Sequence, residues 1–138
     1  EVSHFHIFKG LTNSNFKICN FACYFKKRDM ENNRLDNIYD APGWDKTKEY
    51  YETLVEKPGF RVEKIMSAGH TSPADGWFDQ NENETVVLLK GDAIIEFDNG
   101  RRVEMIEGDM LTILAHERHK VAFTSVEPPC TWVAVFWS

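Results

Sequence analysis

A carboxylate and an imidazole in the second half of the chain have the chemistry needed for proton transfer. Glu84 comes just before an apolar run at residues 86–89, and His119 opens a second run with Val121 and Phe123. A positioned Glu or His can act as a general acid or base. The structural alternative for Glu84 is an ion pair with a basic side chain at the rim of the fold. The alternative for His119 is a hydrogen-bonded interior histidine on the same strand face as Val121 and Phe123.

Five further residues near these two have a functional and a structural interpretation each. Asp79 and Gln80 lie in an Asn-rich segment, where a hydrogen-bonded turn is the alternative to a role as metal ligands. Trp77 and Phe78 fit either core packing or an apolar wall around a ligand. His116 lies in a turn before His119, as an exposed loop residue or as a proton shuttle at the mouth of a pocket.

The elements that must position these side chains are strands. Asp98-Asn99-Gly100 separates two of them and predicts an antiparallel hairpin with a type I′ turn. Many short strands separated by Gly, Pro and Asx turns predict an all-β sandwich or barrel. Because closure removes exposed strand edges, we favour a jelly-roll barrel (double-stranded β-helix). The seven predicted strands cover residues 60–66, 85–89, 93–97, 102–106, 110–114, 119–125 and 131–137.

A short helix is predicted before the barrel, over residues 45–56. Asp45 is its candidate N-cap, and Tyr50, Tyr51, Leu54 and Val55 form its apolar stripe. Pro58-Gly59 ends it. The last predicted strand is apolar on both faces, so its outer face is expected to be covered by this helix or by a second subunit. Cover by a second subunit is the basis for predicting a homodimer.

The chain divides into three parts by composition. Residues 1–29 carry five basic and two acidic side chains, in contrast to the acidic remainder, and Met30 is a candidate natural start. We therefore predict an N-terminal extension at 1–29 that precedes the natural protein, an arm and helix at 30–57, and the barrel at 58–138.

Charge and composition exclude some classes of binding partner. The net charge is −6, with 16 Lys and Arg against 22 Asp and Glu, which disfavours a nucleic-acid surface. No apolar run is long enough to span a membrane. The three cysteines form no disulfide framework. We expect a cytoplasmic protein whose partner is a small molecule.

Two stretches resemble the paired motifs of the cupin superfamily, and with the strands between them they span about half of the chain. The first is GHTSPADGWFDQNENETVVLLKG at 69–91, in which Glu84 stands six residues before Gly91. The second is GDMLTILAHERHKVAF at 108–123, in which Gly108 and His119 are in register with the motif. The Ser-Pro…Trp-x-Asp-Gln…Glu run and the Ala-His-x-x-His pair also resemble small bacterial cupin-domain proteins.

The resemblance implies a ligand site at the barrel mouth, with a changed metal set. Metal-binding cupins use a His-x-His pair, a Glu and a second-motif His; here the His-x-His is absent, and Trp77, Phe78, Asp79 and Gln80 occupy that region. Glu84, His119, Asp79 and Gln80 remain as donors for a divalent ion such as Mn, Fe, Ni or Zn.

Two kinds of function follow as hypotheses. The first is an enzyme acting on a small polar metabolite by isomerisation or epimerisation, with Glu84 and His119 as a metal site or as the acid/base pair. The second is a non-catalytic ligand-binding or sensing module without metal.

Overall fold

The computed structural model describes residues 36–138, and within this range the only regular elements are strands. There are eight: β1 (Tyr50–Lys57), β2 (Phe60–Ser67), β3 (Asn83–Lys90), β4 (Ala93–Phe97), β5 (Arg102–Met105), β6 (Met110–Ile113), β7 (His119–Thr124) and β8 (Cys130–Trp137). The seven predicted strands are all present, so the all-β prediction is confirmed. The predicted extension at 1–29 lies outside the described residues.

The strands form two antiparallel sheets that enclose one core. The larger sheet has the order β1-β2-β8-β3-β6, and the smaller has the order β5-β4-β7. Alternate residues of each strand face inward. Both sheets contribute to the core, which contains Val86, Leu88, Ala93, Ile95, Phe97, Met105, Ile113, Cys130, Trp132, Ala134 and Phe136. This is the jelly-roll arrangement expected from the sequence.

The β4–β5 hairpin is confirmed, but the predicted turn type is wrong. Ile94 pairs with Glu104 and Glu96 with Arg102, as an antiparallel hairpin requires. Gly100 has φ of 85°, whereas Asn99 is not among the non-glycine residues with positive φ. The Gly100 amide donates to the Phe97 carbonyl. One positive φ after such a turn fits a three-residue loop, a type I turn with a glycine bulge.

The predicted helix at 45–56 is wrong, because residues 50–57 form strand β1. This strand pairs with β2, from Tyr50 opposite Met66 to Lys57 opposite Phe60, with a bulge at Leu54. Its Tyr, Thr and Val residues favour a pleated strand. Pro58-Gly59, with Gly59 at φ of 70°, forms the connecting turn. The larger sheet therefore begins before residue 58.

A segment before β1 covers part of the outer face of the larger sheet. The Lys64 ammonium, on that face, donates to the Asp40 carbonyl at 2.7 Å and pairs with Glu52 at 2.9 Å. Met66 and Thr131 are buried there as well. A coil rather than a helix thus covers this region, and the homodimer stays a prediction. Within residues 36–138, no helix has the length and hydropathy to cross a membrane.

Candidate functional site

A cavity of about 420 Å³ lies between the two sheets. This volume falls in the range of small-molecule sites. Its wall is mostly apolar and aromatic, with three carboxylates. The carboxylates are those of Glu49, Glu63 and Glu84, and the aromatic residues are Tyr51, Trp77, Phe78, Trp132 and Phe136.

Glu84 and His119 meet at the inner surface of the barrel. Glu84 is on β3, opposite Phe136 of β8 and Ile113 of β6, and its side chain lines the cavity. His119 begins β7, where it pairs with Phe97. The His119 Nε2 lies 3.7 Å from the Glu84 Oε2, and the two side chains are 6% and 10% exposed. The structure therefore brings the two predicted catalytic residues together in a buried pair.

The surroundings of His119 determine its orientation. Its backbone forms a two-way bridge with Phe78, and its ring lies 5.5 Å from the Phe78 ring and 6.1 Å from the Phe97 ring. Its Nδ1 lies 2.9 Å from the Glu117 carbonyl. A carbonyl only accepts, so Nδ1 carries the hydrogen, and a neutral His119 presents its Nε2 lone pair to Glu84.

The environment of Glu84 shifts its protonation. Burial raises the pKa of the Glu84 carboxyl above its ordinary value, opposed by the hydrogen bond from Gln80 and, when the His119 ring is protonated, by its positive charge. The Gln80 amide donates to the Glu84 Oε2 at 2.6 Å. A carboxyl with a raised pKa is better able to give and take a proton near neutral pH.

Asp79 and His116 form a separate pair at the surface. The His116 Nδ1 lies 3.2 Å from the Asp79 Oδ1, and the two side chains are 67% and 52% exposed. The His116 backbone has φ of 64°, and its amide donates to the Gln80 carbonyl at 2.9 Å. Of the four predicted metal ligands, Glu84, His119 and Gln80 thus come together, and Asp79 does not join them.

Trp77 and Phe78 lie on the cavity wall, but Phe123 does not face inward with His119. A register shift between Ile94 and Ile95 separates Val121, which lines the cavity, from Phe123, which is 44% exposed. A bulge reverses the side that later residues face. The expectation that Phe123 shares one strand face with His119 and Val121 is therefore wrong.

The sequence interpretation missed the residues that β1 and β2 contribute to the cavity. Glu49 and Tyr51 come from the region predicted as a helix, and Glu63 and Ser67 from β2. A signal was present, because Tyr50, Tyr51, Thr53 and Val55 are aromatic or β-branched, and such residues favour strands. The fit of Tyr50, Tyr51, Leu54 and Val55 to a helical stripe obscured it.

The donor set does not fit a tightly held metal ion. Glu84 and His119 supply one carboxylate and one imidazole, and Gln80 already directs its amide hydrogen at Glu84. Within the described part of the chain, no three His, Cys, Asp or Glu side chains are placed to share an ion. Catalytic zinc sites usually have three protein ligands. The divalent-ion site therefore stays a prediction.

The comparison with protein families identifies the fold family. The family model of the cupin domain matches residues 63–136, more than half of the chain. This protein belongs to the cupin family. No curated protein sequence matches it.

Solved structures agree with this assignment. A protein from Ralstonia eutropha JMP134 named a "putative mannose-6-phosphate isomerase" is 32% identical, with a TM-score of 0.71, over 76% of this chain and 98% of that one. A cupin superfamily protein from Desulfitobacterium hafniense DCB-2 is 15% identical, with a TM-score of 0.59, over 68% and 81% of the two chains. An RmlC-like cupin from Desulfovibrio desulfuricans is 17% identical, with a TM-score of 0.59, over 75% and 95%.

Proposed function

We propose that this cupin binds a small molecule in the barrel cavity and transfers a proton to or from it through Glu84 and His119, in an isomerase-like or epimerase-like reaction. One observation carries the proposal. A buried carboxyl with a raised pKa lies at the wall of a cavity of small-molecule size, 3.7 Å from the Nε2 of a buried imidazole.

The roles within the pair follow from which atoms reach the cavity. Glu84 lines the cavity and is the group that contacts the ligand, whereas His119 lies behind it. With Nδ1 held by the Glu117 carbonyl, the His119 Nε2 can accept a proton from Glu84 or return one. Gln80 holds the other side of the same carboxyl oxygen. Proton abstraction and return at a carbon next to a carbonyl needs such a pair.

The name of the Ralstonia protein supports a reaction of this class. That protein is named as an isomerase, and it is 32% identical to this chain over 76% of the chain's length. Its name mentions a phosphorylated sugar, and this part of the name carries no weight for the present cavity. The shared fold supports small-molecule binding, whereas the substrate depends on the residues of the cavity.

Hydrogen–deuterium exchange into candidate substrates tests the proposal without knowledge of the product. The full chain is incubated in D₂O with a panel of aldoses, hydroxyketones and their amino-substituted counterparts, and loss of C–H signals is followed by ¹H NMR. We expect exchange with wild type and a loss of roughly 100-fold or more in Glu84→Gln and His119→Gln, the size expected for general acid–base residues.

Glu104→Gln is the matched control, because Glu104 is exposed on β5 and does not line the cavity. Exchange that persists in Glu84→Gln contradicts the proposal. Binding without exchange for every compound overturns the catalytic part and supports the non-catalytic alternative. Exchange that stops after chelator treatment and returns with Mn²⁺ would support the metal prediction instead.

A further inference from the structure

The charges on the cavity wall have one sign. Glu49, Glu63 and Glu84 line the cavity, and among the described residues that line it there is no Lys, Arg or His. A low-dielectric wall strengthens the effect of unbalanced charges. The cavity therefore presents a negative potential to anything that enters.

Two cations contact residues of the cavity wall, and both are paired with carboxylates. Arg61 pairs with Glu63 at 2.8 Å and with Glu82 at 3.0 Å, and its guanidinium stacks 4.0 Å from the centre of the Phe136 ring. Lys120 contacts the Trp77 ring and pairs with Glu96 at 3.5 Å. Arg61 thus offsets Glu63 but is shared with a second carboxylate.

Glu49 is the carboxylate that these cations leave uncompensated. Its two oxygens accept hydrogen bonds from the Ser67 hydroxyl and the Tyr51 hydroxyl, each at 2.6 Å. Ser67 is buried. Within residues 36–138, Glu49 makes no ion pair with a basic side chain shorter than 4.0 Å. The two hydroxyls orient this carboxylate but leave its negative charge in place.

Two aromatic residues lie on the same face of the sheet as this charge, Tyr51 in contact with it and Trp132 two strands away. Tyr51 is opposite Ile65, and Ile65 is opposite Trp132, so the three form one row across β1, β2 and β8. All three line the cavity. Aromatic faces attract cations, and the indole ring of Trp attracts them most. A positive nitrogen at this end would be balanced by Glu49 and contacted by ring faces.

We infer that the cavity takes a small molecule with a positively charged nitrogen on an apolar or hydroxylated body, and rejects phosphorylated ligands. This inference rests on the proposed function, because it names the ligand class of the same cavity. The nitrogen lies near Glu49, Tyr51 and Trp132, and the body extends toward Glu84. Phosphate recognition relies on Arg, Lys or backbone amides that converge on the anion, and the wall offers carboxylates instead.

Matched ligand series on the full chain test this charge preference. Three carbon skeletons, benzyl, cyclohexyl and dihydroxypropyl, are each supplied as the amine, the alcohol and the phosphate ester. Binding is followed by the indole ¹H–¹⁵N NMR signals, where Trp77 and Trp132 report on the cavity and Trp44 and Trp137, which do not line it, serve as internal controls.

We expect each amine to bind roughly tenfold more tightly than its alcohol, the factor that about 1.4 kcal/mol of added ion pairing produces. The phosphate esters should leave the cavity signals unchanged. In Glu49→Gln the advantage of the amines should fall to about twofold, the size of a weak cation–π contact alone. Glu104→Gln should retain the wild-type preference.

The outcomes separate the two proposals. Phosphates or alcohols that bind as tightly as the amines overturn the charge preference and leave cavity binding standing. Shifts of Trp44 or Trp137 without shifts of Trp77 and Trp132 overturn both, and so does a series in which no compound shifts any indole. Thermal unfolding of each variant verifies that it is folded before its affinities are compared.

Discussion

Two carboxylate–imidazole pairs form between the same two segments of the chain, residues 79–84 and 116–119. They contain the same kinds of group but differ in distance and in exposure to solvent. His116 and Asp79 approach to 3.2 Å with more than half of each side chain exposed. His119 and Glu84 are 3.7 Å apart and almost fully buried. The closer pair is the less consequential one, because water screens an exposed ion pair and solvates each partner separately.

Burial changes what a pair of this kind can do. A buried carboxyl pays for desolvation when it ionises, so its proton is held more strongly and its state depends on the neighbouring imidazole. The exposed pair joins two loops, helped by the His116 amide bond to the Gln80 carbonyl. The buried pair is therefore the one for which we propose proton transfer, whereas the exposed pair links two loops.

The largest contrast between the pairs should appear on removal of each imidazole. His119→Ala should lower the free energy of unfolding by about 2–4 kcal/mol, because it removes a buried ring packed on Phe78 and Phe97 and leaves Glu84 without its partner. His116→Gly should stay within about 1 kcal/mol of wild type, since glycine also suits the positive φ. Urea denaturation measures both. Equal losses would refute the contrast.

The pH dependence of stability should single out Glu84. Its pKa is raised in the folded state, so the stabilisation from its protonation is complete below its ordinary value of 4.5 and is lost as pH rises through the raised pKa. Relative to wild type, Glu84→Gln should therefore gain stability as pH rises above about 4.5, by at most about 1.4 kcal/mol per pH unit. Urea titrations between pH 4 and 7 measure the difference; a constant difference would contradict the raised pKa.

Gln80 should tune the buried pair from outside it. Gln80→Ala removes the amide donor that stabilises the ionised Glu84, so the pKa of Glu84 should rise further, with a stability loss of about 1 kcal/mol. A ¹³C NMR titration of the Glu84 carboxyl measures the shift. An unchanged or lower pKa would show that the hydrogen bond does not favour the ionised form.

The smallest effect is expected from the exposed carboxylate. Asp79→Asn should change the free energy of unfolding by less than about 1 kcal/mol, and salt should reduce the change further. Urea denaturation at low and high ionic strength measures it. A loss as large as that of His119→Ala would mean that the surface pair supports the barrel.

Part of the secondary structure is determined by the local sequence. The alternation of apolar residues and the turn residues between them predict seven strands and the β4–β5 hairpin, because the period of a strand and the positive φ of Gly100 depend on near neighbours. Strand β1 was missed because Tyr50, Tyr51, Leu54 and Val55 also fit a helical stripe. Pairing with β2, a tertiary contact, overrides that local ambiguity.

The site shows the same division. The types and spacing of Glu84 and His119, together with the family resemblance, singled out these residues from the sequence alone. Their separation from Asp79, the bulge that turns Phe123 outward and the place of Glu49 beside Ser67 were decided by the packing of two sheets. Side chains far apart in sequence meet only when strands adopt one register across the barrel, and between strands that no short turn connects this register depends on which faces pack into the core.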